Sequence, residues 1–249
     1  GVDVSFIGEG AVITTDANGE FVIDNLQAGQ KVIDFDTSNA TPAPSGDGYA
    51  GFREQIEIVD GANDISRPFY LPRIFSDSLT TIDPNVDTVI TNADIGVSLT
   101  VFAGTAKDGN GDLFTGQLSI SEVPDAIAPA ALPEELEPGL LFTIQPVGVT
   151  FDTPATLSIR NDRDNWAPGN QIDFWSLDPD LGVFSIVGQG VVVADGSTIE
   201  TTTGGVRAAD WHGPLPPAVR TGPRPKDKDR RCDNCCGPAQ SAQGGAGDG

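Results

Sequence analysis

The chain has 249 residues, of which 36 are acidic, 14 are basic and 38% are hydrophobic, and its net charge is −22. This charge repels nucleic acid and anionic membrane surfaces, so neither is an expected partner. The longest apolar runs, such as Val191–Ala194, are far too short to cross a bilayer, so no membrane insertion is expected.

The chain contains no methionine, and it begins at Gly1 without a basic and then apolar leader. We therefore interpret it as a mature product or an internal segment of a longer protein. The acidic residues lie mostly beside glycine, asparagine and threonine, and lysine is scarce. Two interpretations fit this pattern: a strongly hydrated surface suited to a salty medium, or multiple calcium sites.

Residues 1–72 show the alternation of apolar and polar residues that is typical of β-strands. Strands are predicted at Val2–Phe6, Phe21–Ile23, Lys31–Phe35 and Gln55–Val59, each bounded by turn residues. A hairpin turn is predicted at Asp16–Gly19, because Asn-Gly tolerates positive φ at both central positions. This segment is predicted to form a small β-sandwich.

The hairpin and its flanks resemble a known family. Residues 15–21 read TDANGEF and residues 26–29 read LQAG, which is similar to the Thr-Asp-x-x-Gly-x-Phe hairpin and Leu-x-x-Gly turn of the carboxypeptidase regulatory-like (prealbumin-like) domain. That family begins one strand earlier than Gly1. The resemblance therefore implies an open edge along Val2, Val4 and Phe6, which a strand from another copy or from the parent protein would fill.

Residues 73–216 predict a larger β-sandwich, with strand patterns at Gly96–Val101, Phe114–Pro124 and Phe142–Ala155. The last of these contains the pattern PxGxxFxxPA. The order of strands resembles the β-sandwich domain shared by ankyrins, netrin receptors and tight-junction scaffold proteins. The resemblance implies protein contacts and domain coupling, without catalytic residues. The only helical turn is expected around Glu134–Leu136.

One loop is a candidate metal site. Asp108, Asn110 and Asp112 match the first five positions of an EF-hand loop, but Leu113 and Ser119 replace the glycine and glutamate that such a loop requires. We predict a surface hairpin turn here, with a weak calcium site as the alternative. No other cofactor is expected.

His212 is the only histidine, so a Ser-His-Asp catalytic triad would have to use it. The chain has no Gly-x-Ser-x-Gly elbow, and the neighbours of His212 are typical of a packed chain exit, so the chain is predicted not to be an enzyme. Trp175 alternates with apolar residues and is expected in the core. Trp166, in a polar loop, is the one tryptophan expected to be exposed, as a possible platform for a ligand such as a sugar.

Residues 217–249 have the composition of a linker and predict an extended tail. All three cysteines lie there, at Cys232, Cys235 and Cys236, so the body must fold without disulfides. A disulfide or interchain crosslink, a metal site and an inert tail are the alternatives for them. A β-sandwich followed by such a linker resembles the region before the repeat shell of bacterial YD-repeat (RHS-type) surface proteins.

The sequence therefore predicts an all-β chain: a prealbumin-like β-sandwich (1–72), a larger β-sandwich (73–216) and an extended tail (217–249). The expected function is that of a structural or assembly module of a larger extracellular or cell-surface protein, or of a filament. Its expected partners are other copies of itself or other segments of the parent protein, held by strand and tail contacts. The alternative is an adhesin-type module that binds a glycan or protein with the help of calcium.

Overall fold

β-Strands make up almost all of the regular structure. The computed structural model describes residues 1–43, 47–65, 68–124, 138–178, 181 and 183–217, which contain sixteen strands and one 3-10 turn at Ser76–Ser78. All strand pairs among these residues are antiparallel. The all-β prediction is confirmed. The turn predicted at Glu134–Leu136, the tail after residue 217 and its three cysteines lie outside the described residues.

The first four strands form a small sheet in the order β2-β1-β3-β4. Val4, Phe35 and Phe52 are cross-strand neighbours on its buried face. On the opposite, polar face, Arg53 Nε donates to Asp34 Oδ1 at 2.7 Å. One apolar and one polar face are what a period-two alternation produces. The strands are β1 (Asp3–Phe6), β2 (Val12–Thr14), β3 (Gly29–Asp36) and β4 (Phe52–Ile58).

Strand β1 does not lie at an edge of this sheet, because it pairs with β2 on one side and with β3 on the other. The prediction of an open edge along Val2, Val4 and Phe6 is therefore wrong. Val4 and Phe6 are buried, and the Val2 carbonyl accepts the Thr15 N–H at 2.8 Å. The chain reverses after Phe6 and lays Val12–Thr14 alongside β1, so β2 is the edge strand.

The predicted strand at Phe21–Ile23 is also wrong, because the backbone of these residues forms no ladder with the strands that the structure describes. The side chains still alternate: Phe21 and Ile23 are half-buried against the core, while Val22 is exposed. The alternating sequence pattern thus indicates which side chains are buried, but it does not indicate whether the backbone pairs with another strand.

The other twelve strands form a large sheet in the order β5-β9-β10-β16-β12-β13-β14-β11-β7-β6, with β8 and β15 also paired to β11. Its two ends meet where the Asn92 side-chain amide donates to the Ile120 carbonyl at 2.8 Å, which nearly closes the sheet into a barrel. The strands are β5 (Thr80–Thr81), β6 (Thr88–Asn92), β7 (Val97–Val101), β8 (Ala106–Lys107), β9 (Gln117–Val123), β10 (Leu141–Gln145), β11 (Thr150–Arg160), β12 (Gln171–Asp178), β13 (Val183–Val192), β14 (Thr198–Gly204), β15 (Val206–Ala208) and β16 (Trp211–Leu215).

The chain has two hydrophobic cores. The first lies inside the large sheet and includes Phe142 and Ile144 of β10. The second lies between the two sheets, where Leu141 and Trp211 of the large sheet meet Phe52 and other residues of the small sheet. Strands β10 and β16 are thus buried at every position. Residues 1–217 form one compact unit, and the boundary predicted near residue 72 runs between two sheets that share this second core.

Candidate functional site: the junction between the two sheets

Buried polar side chains gather where the small sheet meets the large one. Gln145, the last residue of β10, is 3% exposed. Its Oε1 accepts the Gly51 N–H at 3.2 Å, and its Nε2 lies 3.3 Å from the Gly51 carbonyl and 2.8 Å from Thr143 Oγ1. The side-chain amide thus takes the place of a neighbouring strand and satisfies both backbone groups of Gly51 just before β4 begins.

Gly51 lies in a narrow space between strand β3 and the loop after β10. A Cβ at this position would lie 3.1 Å from the Phe35 carbonyl oxygen on β3 and 3.1 Å from Val147 Cγ2, in the loop after β10. Both distances are shorter than ordinary van der Waals contact, so a larger residue would displace β3 or this loop. The absence of a side chain at Gly51 lets the loop after β10 lie close to β3.

An aromatic contact lies beside the hydrogen bonds between Gln145 and Gly51, which we call the clamp. The rings of Phe52 and Trp211 have centroids 4.6 Å apart and are tilted by 46°. Trp211 is 1% exposed, and its indole N–H lies 3.5 Å from the Gly51 carbonyl, at the long limit of a hydrogen bond. A buried indole adds a large apolar area, and its tilted packing on Phe52 adds a further attraction.

The residues flanking Trp211 form a buried polar cluster with β12. His212 Nδ1 lies 2.6 Å from Ser176 Oγ, and His212 Nε2 lies 3.4 Å from the Asp210 backbone nitrogen. Because Nε2 faces an N–H donor, the ring proton is on Nδ1 and is donated to Ser176. Burial lowers the pKa of His212 from 6.5 to about 3, so the imidazole is neutral in the folded protein at pH 7.

Asp210 is fully buried at the start of the same strand. Its Oδ1 accepts the Trp211 N–H at 3.0 Å, while its Oδ2 has no hydrogen-bond partner among the described residues. Burial raises the pKa of Asp210 well above its usual value, and the Trp211 N–H and the charge of Arg53 oppose this only in part. Burying a carboxyl with one unpaired oxygen costs less free energy when the group is neutral. Asp210 therefore stays protonated at pH values at which an exposed aspartate is already charged.

Ser176, His212 and Asp210 are the residue types of a catalytic triad, but their arrangement differs from one. In a triad, the histidine Nε2 accepts the serine proton and the aspartate accepts the Nδ1 proton. Here Nδ1 faces the serine, and all three residues are at most 4% exposed. Ser176 and His212 join β12 to β16 on the face that lines the core of the large sheet, where the His212 ring lies 5.6 Å from the ring of Phe142, which fits a structural role.

The candidate calcium loop is an Asp-capped turn. Asp108 Oδ1 accepts the N–H groups of Asn110 at 2.9 Å and Asp112 at 3.0 Å, and the Asp112 carbonyl accepts the Asp108 N–H. Asp16 holds the first hairpin in the same way, with Asn18 and Glu20 as donors. Both loops place positive φ only on the glycine after the asparagine, and not on both central residues as predicted. Backbone amides thus already occupy one oxygen of each first aspartate.

Trp166 is half-buried and packs against the core of the large sheet, whereas the sequence predicted an exposed ring. Asn161 holds its backbone on both sides, through Nδ2 to the Trp166 carbonyl at 2.8 Å and Oδ1 to its N–H at 3.0 Å. The ring lines a shallow, open cleft together with Arg163 and Asp164. Trp175, predicted in the core, is half-buried at the margin of the second core.

Gly51 and Gln145 define the junction, while Ser176 and Asp210 bond the residues beside it, and sequence reasoning did not single out any of the four. The one available signal was a polar residue within a continuous apolar strand: β10 reads LFTIQ and is buried at every position. Such a pattern indicates a strand covered on both faces, in which a polar side chain must find a partner.

Comparisons with models of protein families, with curated proteins and with solved structures give no match for this chain. Within the described ranges, no helix has the length and apolar character needed to cross a membrane. The same residues contain no group of three or more histidine, cysteine, aspartate or glutamate side chains placed to hold a metal ion.

Proposed function

We propose that this chain is a non-enzymatic structural module of a larger extracellular or cell-surface protein, in which the two sheets act as one rigid body. The observation that carries the proposal is the shared core, closed by the Gln145–Gly51 clamp and by the Phe52–Trp211 contact. The extracellular location rests on the resemblance of the β-sandwich and its linker to the region before the repeat shell of bacterial YD-repeat (RHS-type) surface proteins.

Rigidity follows from the kind of contact at the junction. Domains of one chain usually meet through modest, polar interfaces and move relative to each other. Here an aromatic pair is buried, and the amide of Gln145 bonds to both the N–H and the C=O of one residue. Sliding by one residue would break both bonds and leave buried groups unpaired, which costs about 1–3 kcal/mol for each group. A single register is therefore strongly preferred.

The environment of the only histidine supports a structural role. His212 is 1% exposed and faces the core inside the large sheet, beside Phe142, with its proton directed to Ser176. Access of a substrate to this histidine would require the large sheet itself to open, because the ring lies on its inner face.

The proposal is tested by measuring the distance between two spin labels, one on each sheet, with the three native cysteines replaced by serine. Val59, just after β4, and Val86, just before β6, are 55% and 54% exposed, so cysteine at either position should not disturb the fold. We expect one narrow distance distribution. A broad or two-peaked distribution in the otherwise native chain would contradict a rigid module.

A pair of variants separates the junction from general stability. Gln145→Leu removes the clamp and should broaden the distribution. Asn92→Leu removes a side chain that is also buried and bonds a backbone carbonyl within the large sheet, so it should leave the distribution narrow. Equal broadening in both variants would show that the junction has no special role.

A further inference from the structure

Strand β2 leaves backbone groups unpaired along the outer edge of the small sheet. The Thr15 N–H donates to the Val2 carbonyl, and hydrogen-bonded pairs alternate along an antiparallel ladder. Ile13 therefore bonds to β1, whereas Val12 and Thr14 direct their N–H and C=O groups away from it. Neither residue has a backbone partner on that side among the described residues. Such an edge is a template for a further strand.

The chain that follows β2 does not cover this edge. After the Asp16 turn it runs back through residues 20–24, but the backbone of Phe21–Ile23 forms no hydrogen bond with any described residue. Val22 and Val12 are 73% and 63% exposed, more than any other large hydrophobic side chain that the structure describes. An unpaired edge with exposed apolar side chains on both arms of the hairpin is suited to binding a strand that also contributes apolar side chains.

The charge around the edge indicates which charge the added strand should carry. Residues 1–30 contain five acidic residues and no basic one. Three of the acids, Asp16, Glu20 and Asp24, are exposed in the hairpin next to β2. Hydrogen bonds from the backbone N–H groups of Glu20 and Asn18 lower the pKa of Asp16, so it stays charged in mild acid. A second copy that paired through the same edge would bring the same charges and be repelled, whereas a basic segment would be attracted.

We propose that the outer edge of β2 binds an extended, basic peptide segment of another polypeptide, which adds a fifth strand to the small sheet. Its backbone pairs with Val12 and Thr14, an apolar side chain covers Val12, and lysine or arginine residues face the acidic hairpin. The inference rests on the proposed function, since it names the kind of partner that the structural module would hold.

The test uses the full chain and a synthetic heptapeptide that alternates lysine and valine, with a glutamate-valine heptapeptide as the control of opposite charge. Calorimetry measures binding, and hydrogen exchange followed by NMR measures protection of single amides. We expect the basic peptide to slow exchange at Val12 and Thr14 by about tenfold or more, because these amides gain hydrogen bonds. Binding should weaken as salt rises from about 0.05 to about 0.5 M, and the acidic peptide should not bind.

Two variants of the edge and one control locate the binding site. Val12→Pro removes an outward N–H, and Val12→Lys keeps the backbone but adds a repelling charge. Each should weaken binding about tenfold, the effect of one lost hydrogen bond or apolar contact. Val89→Lys makes the same charge change on β6, the edge strand of the large sheet, where Val89 is 54% exposed, and it should change binding by less than about twofold. If Val12→Pro does not fold, Val12→Lys decides.

Four results would overturn the proposal: no binding of the basic peptide, equal binding of the acidic one, binding that leaves Val12 and Thr14 unprotected, or equal loss in Val89→Lys. A concentration-dependent dimer that Val12→Pro abolishes would also overturn it, because a second copy would then be the occupant. The spin-label distances do not depend on the edge. A narrow distribution without peptide binding therefore rejects this inference alone, whereas a broad distribution rejects the rigid module.

Discussion

The small sheet and the large sheet differ in how many of their faces are buried. In the large sheet, β10 and β16 are buried at all five of their positions, because one face lies in the enclosed core and the other lies under the small sheet. In the small sheet only one face is buried, and β2 is mostly exposed. The small sheet thus depends on the large one for its core, while the large sheet also has a core of its own.

The second core is therefore the part of the molecule in which mutations should reduce stability most. Four small strands with one apolar face bury too little surface to be stable alone. Without the small sheet, the large sheet would expose Trp211 and Leu141. Changes at the junction should therefore cost more than changes of similar size elsewhere, and the following predictions test that difference.

Trp211→Ala should give the largest effect. The side chain is 1% exposed and contacts Phe52 across the junction, so its removal leaves a cavity that both sheets line. We expect a loss of about 3–5 kcal/mol in the free energy of unfolding. Urea denaturation followed by circular dichroism measures it. Trp166→Ala removes the same side chain from a half-buried site in the large sheet alone, and should cost about 1–2 kcal/mol. Equal losses would refute the special weight of the junction.

Lowering the pH should reduce the free energy of unfolding, because His212 becomes protonated in the unfolded chain. The pKa of this histidine is lowered from 6.5 to about 3 by burial, so below pH 6.5 the unfolded chain takes up a proton that the folded chain does not. Stability is therefore complete above pH 6.5 and falls as the pH falls, by about 3 kcal/mol between pH 6.5 and about 4. His212→Gln should lack this contribution in urea titrations at several pH values. Parallel curves for the two proteins would contradict the burial of His212.

The contribution of Asp210 to stability should have the opposite pH dependence, decreasing as the pH rises. Its raised pKa means that, above pH 3.8, the folded chain keeps a proton that the unfolded chain has lost. Its contribution to stability is therefore complete at low pH and falls as the pH rises through the folded pKa. Asp210→Asn removes this dependence, so its stability relative to the native chain should increase with pH. A constant difference across the same titration would show that Asp210 does not titrate abnormally.

Gly51→Ala should have a smaller but definite effect. The added Cβ would meet the Phe35 carbonyl oxygen and Val147 Cγ2, each at 3.1 Å, and would strain the clamp between the sheets. We expect a loss of about 1–3 kcal/mol. Gly109→Ala is the matched control, because a Cβ there has no neighbour within 4 Å. Thermal unfolding of the two variants measures the contrast, and similar midpoints would remove the steric argument.

Salt and calcium should have the smallest effects. Residues 1–216 carry 32 acidic and eight basic side chains, so sodium chloride at about 1 M should raise the melting temperature by screening their repulsion. Calcium at matched ionic strength should add little, because one oxygen of Asp108 already accepts two backbone N–H groups. A large shift at micromolar calcium would contradict this and favour an adhesin-type module.

Part of the fold could be predicted from the sequence, because alternation and turn residues are local. The strands around Val4, Ile33 and Leu99 and the turn at Asp108 follow from such signals. The edge of the small sheet could not be predicted in this way. Strand patterns record which side chains are buried, but pairing depends on how the chain reverses, and the short strand Val12–Thr14 has little pattern of its own.

The junction was even less accessible to sequence reasoning. Gly51 and Gln145 are 94 positions apart, and neither belongs to a motif. The sequence around His212 did indicate a packed chain exit, and the structure places His212 in the core. His212 faces the core inside the large sheet, whereas Trp211 next to it faces the core shared by the two sheets, and this division follows from long-range packing that no local period encodes.

The central claim is that the two sheets share one core and unfold together. Hydrogen exchange of β3 in the small sheet and of β10 in the large sheet, followed through a urea titration of the full chain, tests it most directly. We predict that both strands lose protection at the same urea concentration, in step with the tryptophan fluorescence of the chain. Loss of protection in β3 at clearly lower urea, while β10 and Trp211 stay native, would show that the small sheet is an independent domain.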